Sequence, residues 1–230
     1  MPLIFSNPYS VPLAVASPFL VHFDGVNGGT SIQSETGETA QLFGDAALST
    51  TQKKFGTASL KNSTGGAQFP NRAGLNPTGA FTVECWFNAT TIPNWTGLLS
   101  SWYLGYNEQS SWVLSFDNTQ HLTFAFGLGS AQTAALTSPV ITTGIWHHIA
   151  ISWDGTVVRM FLDGTLAASV GFSGKPNSTI APITIGALDY SKIAPNTPMA
   201  YGFNGYIDEV RISNGIAQYT ANFTPQAIPF

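Results

Sequence analysis

The amino-acid sequence predicts an all-β protein made of two packed antiparallel sheets, and three observations carry that reading. First, Trp146 to Gly164 reads as two strands joined by an Asp154-Gly155 turn, and a second turn at Asp163-Gly164 opens a third strand, Thr165 to Val170. Asp-Gly supplies the positive φ of a tight type I′ hairpin. Two such pairs nine residues apart therefore mark a meander. Second, Val157 to Leu162 carries apolar residues on both strand faces with Arg159 among them, a pattern that belongs to a layered β-structure rather than a lone solvated sheet. Third, no apolar run with a helical period exceeds about two turns. Only 9% of the 230 residues are charged, against about a quarter in an ordinary domain. Few Lys and Glu remain to build surface helices, while Thr, Ser, Asn and Gly favour strands and turns.

In chain order, residues 1–18 form an apolar arm in which Pro2, Pro8, Pro12 and Pro18 forbid a helix and favour extended chain. The arm is expected to lie on this protein's own sheet or on a neighbouring subunit or scaffold; both readings stay open. Phe19 to Phe23 reads as the first strand and Asp24 to Gly29 as an oxygen-rich turn. Further strands are expected around residues 39–43, 46–50 and 55–61, with loop from 62 to 80. Phe81 to Phe87 alternates, placing Phe81, Val83, Cys85 and Phe87 on one face. Leu98 to Tyr103 follows, then Trp112 to Phe116 paired with His121 to Phe126. After the meander come Ile183 to Gly186, a Pro-rich loop over 194–200, and a last strong strand, Tyr206 to Ile212. Roughly a dozen strands with short turns can bury their faces only against one another. The expected organisation is an arm (1–18), one domain (19–220) and a tail (221–230).

Composition excludes several classes of function. An apolar content of 43% supports a core, so disorder is not expected. A net charge of −4 argues against nucleic acid, which needs clustered Lys and Arg. One cysteine, Cys85, cannot form an internal disulfide framework, and its mid-strand position makes it a small buried hydrophobe. No stretch reaches the ~18 apolar residues of a membrane span. A secretory leader is not expected either, because no basic residue precedes the apolar part of the arm and prolines interrupt it.

Several separated segments then resemble one family. They are Phe23-Asp24-Gly25, Phe55 to Leu60, Phe81 to Phe87, the 146–164 meander, Ile183 to Gly186 and Phe203 to Ile212, in the family's order. Over about residues 19–215 the chain resembles the laminin-G-like, concanavalin A-like jelly rolls, in the branch related to pentraxins. The resemblance implies a two-sheet jelly-roll sandwich of about a dozen strands. The ending from Asp208 to Pro225 is similar to a form common in bacteriophage virion proteins, such as capsid decorations and tail or head appendages. That similarity concerns context and implies no chemistry.

Three groups of residues are candidates for a site. On an unbroken strand Asp208 shares a face with Tyr206, Val210 and Ile212, and a carboxylate in a buried row must be paired, hydrogen-bonded or metal-bound. Calcium takes six to eight oxygens, and related jelly rolls are similar in clamping the first turn to the last strand with it. Asp24, Asn27 and Asp208 are thus the candidate ligands of a structural calcium, with backbone N–H bonds to Asp208 as the alternative. Second, Trp95, Trp102, Tyr103, Tyr106 and Trp112 fall within eighteen residues, interleaved with Asn94, Asn107, Glu108 and Gln109. Aromatic faces beside amides suit sugar recognition. The glycan candidates are Trp95, Tyr103, Tyr106 and Asn107, against a reading in which Trp102 and Trp112 are core and only Trp95 or Tyr106 is exposed. Third, Glu84 and Arg211 suggest a cross-strand ion pair, while His147 and His148 diverge from adjacent strand positions and cannot grip one metal.

Catalysis is not expected. Glycoside hydrolases of this architecture carry Glu-x-Asp-x-Glu on one strand, and two carboxylates must flank the sugar bond. Here Asp208 and Glu209 are adjacent and Glu84 stands alone. The sequence therefore leads to a non-enzymatic virion structural protein that attaches to capsid or tail proteins, with residues 1–18 as the candidate attachment arm, as part of a homo-oligomer or larger assembly. The alternative is an extracellular glycan-binding module using residues 94–112.

Overall fold

The computed structural model describes residues 18–193 and 199–230. The proline-rich arm thus lies outside the described residues except for Pro18, and so does most of the 194–200 loop. Seventeen strands follow in order: β1 (Phe19–Val21), β2 (Gln41–Phe43), β3 (Ala47–Ser49), β4 (Ser59–Asn62), β5 (Gly66–Phe69), β6 (Phe81–Thr91), β7 (Gly97–Ser101), β8 (Trp112–Phe116) and β9 (His121–Leu128). Then come β10 (Ala131–Val140), β11 (His147–Trp153), β12 (Val157–Leu162), β13 (Thr165–Gly171), β14 (Ile183–Ile185), β15 (Leu188–Asp189), β16 (Met199–Ala200) and β17 (Asn204–Asn214).

They build two antiparallel sheets. The larger runs β13-β12-β11-β6-β17-β4-β3, with β1 also paired to β17; the other runs β10-β9-β8-β7-β14-β5-β2, and β15 and β16 make a small separate hairpin. β4 and β1 share one flank of β17, the first along Gly205 to Ile207 and the second along Val210 to Ile212. The core lies between the sheets, where Phe81, Val83, Cys85 and Phe87 of β6 meet Trp112, Leu114 and Phe116 of β8. Phe81 packs on Trp112 and Phe87 on Phe116, with ring centroids 5.7 and 5.9 Å apart. Period-two alternation thus placed the inward face of β6 correctly. Cys85 is fully buried, and burial pushes its thiol pKa well up.

The meander forms as expected, but its two turns differ. Leu162 pairs with Thr165, leaving Asp163-Gly164 as a two-residue loop with both φ values positive (50° and 78°), the type I′ form. Trp153 pairs with Val158, so the first loop is longer, and only Gly155 has positive φ. There the Asp154 carboxylate accepts the N–H groups of Thr156 and Val157, so a side chain replaces the missing backbone bonds.

Four strands escaped the sequence: β5, β10 and the short β15 and β16, the last at the end of the 194–200 stretch read as loop. β5 sits inside a stretch read as loop because Gly, Asn and Pro flank it, yet Ala67 and Phe69 are fully buried. β10 is polar because it is an edge strand, exposed along much of its length, where Pro139 is tolerated. A further difference concerns β17. Asp208 pairs with Trp86 but Arg211 with Glu84, so β17 advances three residues where β6 advances two, and Glu209 takes the left-handed φ of 52°. This β-bulge inverts the alternation beyond it. Ile207, Val210 and Ile212 all reach the core, while Asp208 and Arg211 share the outer face with Trp86 and Glu84. The expectation that Asp208 shares a face with Val210 and Ile212 is therefore corrected.

Candidate functional site

On the outer side of the seven-stranded sheet, the connection from β6 to β7 turns at Trp95 with φ 63°. Its neighbours are tied down: Phe116 N–H donates to the Thr96 carbonyl (2.7 Å), and Gly97 N–H to the Tyr201 carbonyl (2.9 Å). Tyr201, just after β16, has φ 56°. A bulky residue in the left-handed region costs about 1–3 kcal/mol and persists only where its surroundings over-determine it. Both rings stand half out in solvent, Trp95 at 57% and Tyr201 at 47% exposure. With Leu104, Leu188 and Ser115 they line a groove of about 240 Å³. Ser115 alternates with the buried Leu114 and Phe116, so its hydroxyl faces away from the core and into this groove.

The aromatic run predicted from 94–112 divides under folding. Trp102 and Trp112 are buried. Tyr103 is also covered, at 8% exposure, a correction to its assignment as a sugar contact. The Lys192 ammonium covers its ring at 4.8 Å, and burial followed by the charge of Asp189 raises its phenol pKa. Tyr106 and Asn107 open a short 3-10 turn, Asn107–Gln109. The Asn107 amide donates to the Ser130 carbonyl (3.1 Å), which ties this turn to the β9–β10 hairpin at the Trp112 end of β8. Trp95 lies at the Phe116 end, so the four candidates do not form one site. The structure keeps Trp95 and supplies Tyr201 and Leu188 from a segment about a hundred residues away. The only local signal for Tyr201 is an aromatic residue beside Gly202 in a turn-rich stretch.

The outer face of the larger sheet is a second concentration of chemistry. Arg211 donates to Glu84 from Nε (2.9 Å) and Nη2 (2.7 Å), the cross-strand pair the sequence suggested. Tyr219 OH donates to the other Glu84 oxygen (2.8 Å), and His148 Nε2 lies 3.2 Å from it. Burial works against the Glu84 charge, but His148 and Arg211 outweigh it and hold the carboxyl pKa below its usual value. Residues 215–230, of which 221–230 read as a tail from sequence alone, strap this face. Tyr219 and Phe223 stack at 3.6 Å, Phe223 N–H donates to the Gly164 carbonyl (2.9 Å), and the Phe230 ring lies 3.8 Å from the Arg211 guanidinium. Phe230 N–H reaches Glu209 (2.9 Å), whose other oxygen meets His22 (2.8 Å). Glu84 and Glu209 are buried beneath it, and Asp208 on the same face is buried as well. His147 points the other way from His148 and meets Asp163 at 2.7 Å; that bond raises the imidazole pKa against the pull of burial.

The proposed calcium ligands all converge on one loop, residues 50–57, by hydrogen bonds. Asp24 accepts from the backbone and side chain of Thr57, Asn27 from Thr50 N–H (3.3 Å), and Asp208 Oδ2 from the N–H groups of Lys54 (2.8 Å) and Phe55 (3.2 Å). Asp208 Oδ1 takes its own neighbour's N–H, from Glu209 (3.0 Å). Burial pushes the Asp208 pKa up to about 7. These oxygens accept donor hydrogens that anchor the 50–57 loop. Among the described residues no cluster of three or more His, Cys, Asp or Glu could hold a metal.

Comparison with known proteins identifies the fold. Residues 61–217 match the laminin-G type of the concanavalin A-like lectin/glucanases superfamily, and the chain belongs to that family. No curated protein sequence matches it. Domain 4 of AbnA, an extracellular arabinanase from Geobacillus stearothermophilus, solved with arabinotriose, superposes with a TM-score of 0.60 at 19% identity, over 87% of this chain and 93% of that one. The Ruminococcus gnavus sialidase domain CBM40 bound to α2,3 sialyllactose gives 0.50 at 14% identity, over 63% and 80%. The binding domain of Paraclostridial mosquitocidal protein 1 gives 0.63 at 11% identity, where this chain spans 87% of its own length and 49% of the other.

Proposed function

We propose that this concanavalin A-like domain is a non-catalytic carbohydrate-binding module that works outside the cell and holds a sugar in the Trp95–Tyr201 groove. The observation that carries the reading is the pair of strained, half-exposed aromatic residues lining one groove with a hydroxyl. Folding spends free energy to hold two large apolar faces out of the core, which is the mark of a binding surface rather than of packing. A sugar offers the matching surface, an apolar C–H face for the rings and hydroxyls for Ser115. Neighbouring folds that bind arabinotriose and sialyllactose support the same reading. The described groove lining holds no carboxylate, so the pair of acids that hydrolysis requires is missing from it.

Covering ~50 Å² of one ring is worth about 1.3 kcal/mol, or about tenfold in affinity. On a glycan array the wild type should bind, and Trp95→Ala should lose about tenfold while melting within a few degrees of it. Absence of any Trp95-dependent glycan signal would sink the proposal. A second reading, attachment to a virion as part of a larger assembly, rests on the 208–225 ending alone. It predicts that a chain lacking residues 1–18 is not incorporated into particles.

A further inference from the structure

We infer that the groove selects an uncharged sugar and seats one ring of it, an inference that rests on the carbohydrate-binding reading above. Its described lining is two aromatic residues, two leucines and one serine, with no ammonium or guanidinium. Aromatic faces carry the negative side of the ring quadrupole, so they attract C–H groups and repel a carboxylate laid against them. An anionic sugar also needs a cation to replace the water it loses, most effectively an Arg fork. The chain has few to offer. Of its eight basic side chains, Arg72, Arg159 and Arg211 are paired with Glu38, Asp154 and Glu84, while Lys54 and Lys192 lie on Trp86 and Tyr103.

The polar side of the groove fits the same choice. Among the described residues the side-chain hydrogen bond of Ser115 Oγ is a long one to the Thr123 hydroxyl, 3.5 Å away, in which either atom can donate. A hydroxyl that both gives and takes a hydrogen bond suits a sugar hydroxyl and gives no preference for a carboxylate. A volume of about 240 Å³ falls below the ~300–1,000 Å³ of sites that enclose drug-sized ligands, which leaves room for one ring with its neighbours in solvent.

Calorimetric titration of the full chain with two panels tests this. One panel holds neutral trisaccharides of arabinose, galactose and glucose; the other holds sialyllactose and trigalacturonate. The expected result is binding of at least one neutral trisaccharide, insensitive to salt, and weakened about tenfold by Trp95→Ala and by Tyr201→Ala. The anionic panel should bind at least tenfold more weakly. Tighter, salt-sensitive binding of an anionic sugar that Trp95→Ala abolishes overturns the inference and leaves the carbohydrate reading standing. If neither panel binds the wild type, the carbohydrate reading itself fails and takes the inference with it.

Discussion

Replacing Glu84 with Ala should be among the most damaging changes to this fold that leave the inter-sheet core intact. The carboxylate is fully buried and serves Arg211, Tyr219 and His148 at once. Breaking a buried pair leaves the other charge uncompensated and costs about 3–5 kcal/mol. Arg211 keeps 21% of its side chain exposed, which allows water to take part of the load and puts the ion-pair loss near the low end, about 3 kcal/mol. Tyr219 OH loses its acceptor and adds about 1 kcal/mol. A loss of about 4 kcal/mol in a chain of this length lowers the melting temperature by about 8–16 °C. Urea unfolding with an unchanged slope provides the measurement. The double variant Glu84→Met with Arg211→Met should recover most of the loss, because an apolar pair of similar volume removes both desolvation costs together. A loss below about 1 kcal/mol for Glu84→Ala, or no recovery in the double variant, would refute the reasoning.

Three further outcomes follow from named contacts. Asp208 has its pKa raised from 3.8 to about 7 in the folded state. The folded protein therefore holds that proton more tightly, and stability falls as pH rises from about 4 to about 7, by at most roughly 4 kcal/mol. The stability difference between wild type and Asp208→Asn should drift across that window, and a flat difference would contradict the buried, hydrogen-bonded carboxyl. Gly164→Ala should lower the melting temperature by several degrees, because φ is 78° and a Cβ there would collide with the Phe223 carbonyl of the strap; a variant that melts like wild type would place the strap elsewhere. For calcium, melting with and without a chelator should coincide if the 50–57 loop is anchored by amide bonds alone. A clear drop with the chelator would instead assign Asp24, Asn27 and Asp208 to a cation.

What could be read without the structure was the part set by local pattern. Alternation with period two placed Phe81, Val83, Cys85 and Phe87 inside, and Asp163-Gly164 marked a turn whose geometry only those residue types favour. The Glu84–Arg211 pair followed from the scarcity of charge, since a lone buried carboxylate must find a cation. β5 and β10 were missed for opposite reasons: the first is interior but framed by Gly and Pro, the second is an edge whose polar sequence carries little apolar signal.

The candidate site was legible only in fragments. Trp95 was visible as an aromatic residue in a loop, but its partners Leu188 and Tyr201 arrive through the β15–β16 hairpin, and Tyr103 leaves because its ring is covered under Lys192. The layered β-architecture was written in the chain's local pattern, because side-chain period and turn residues act over a few neighbouring positions. Three things were decided only in three dimensions. The extra residue at Glu209 inverted the face of Asp208, the 215–230 strap closed over the larger sheet, and two distant rings came to border one groove. Each depends on contacts between segments tens to more than a hundred residues apart, and no local period encodes such contacts.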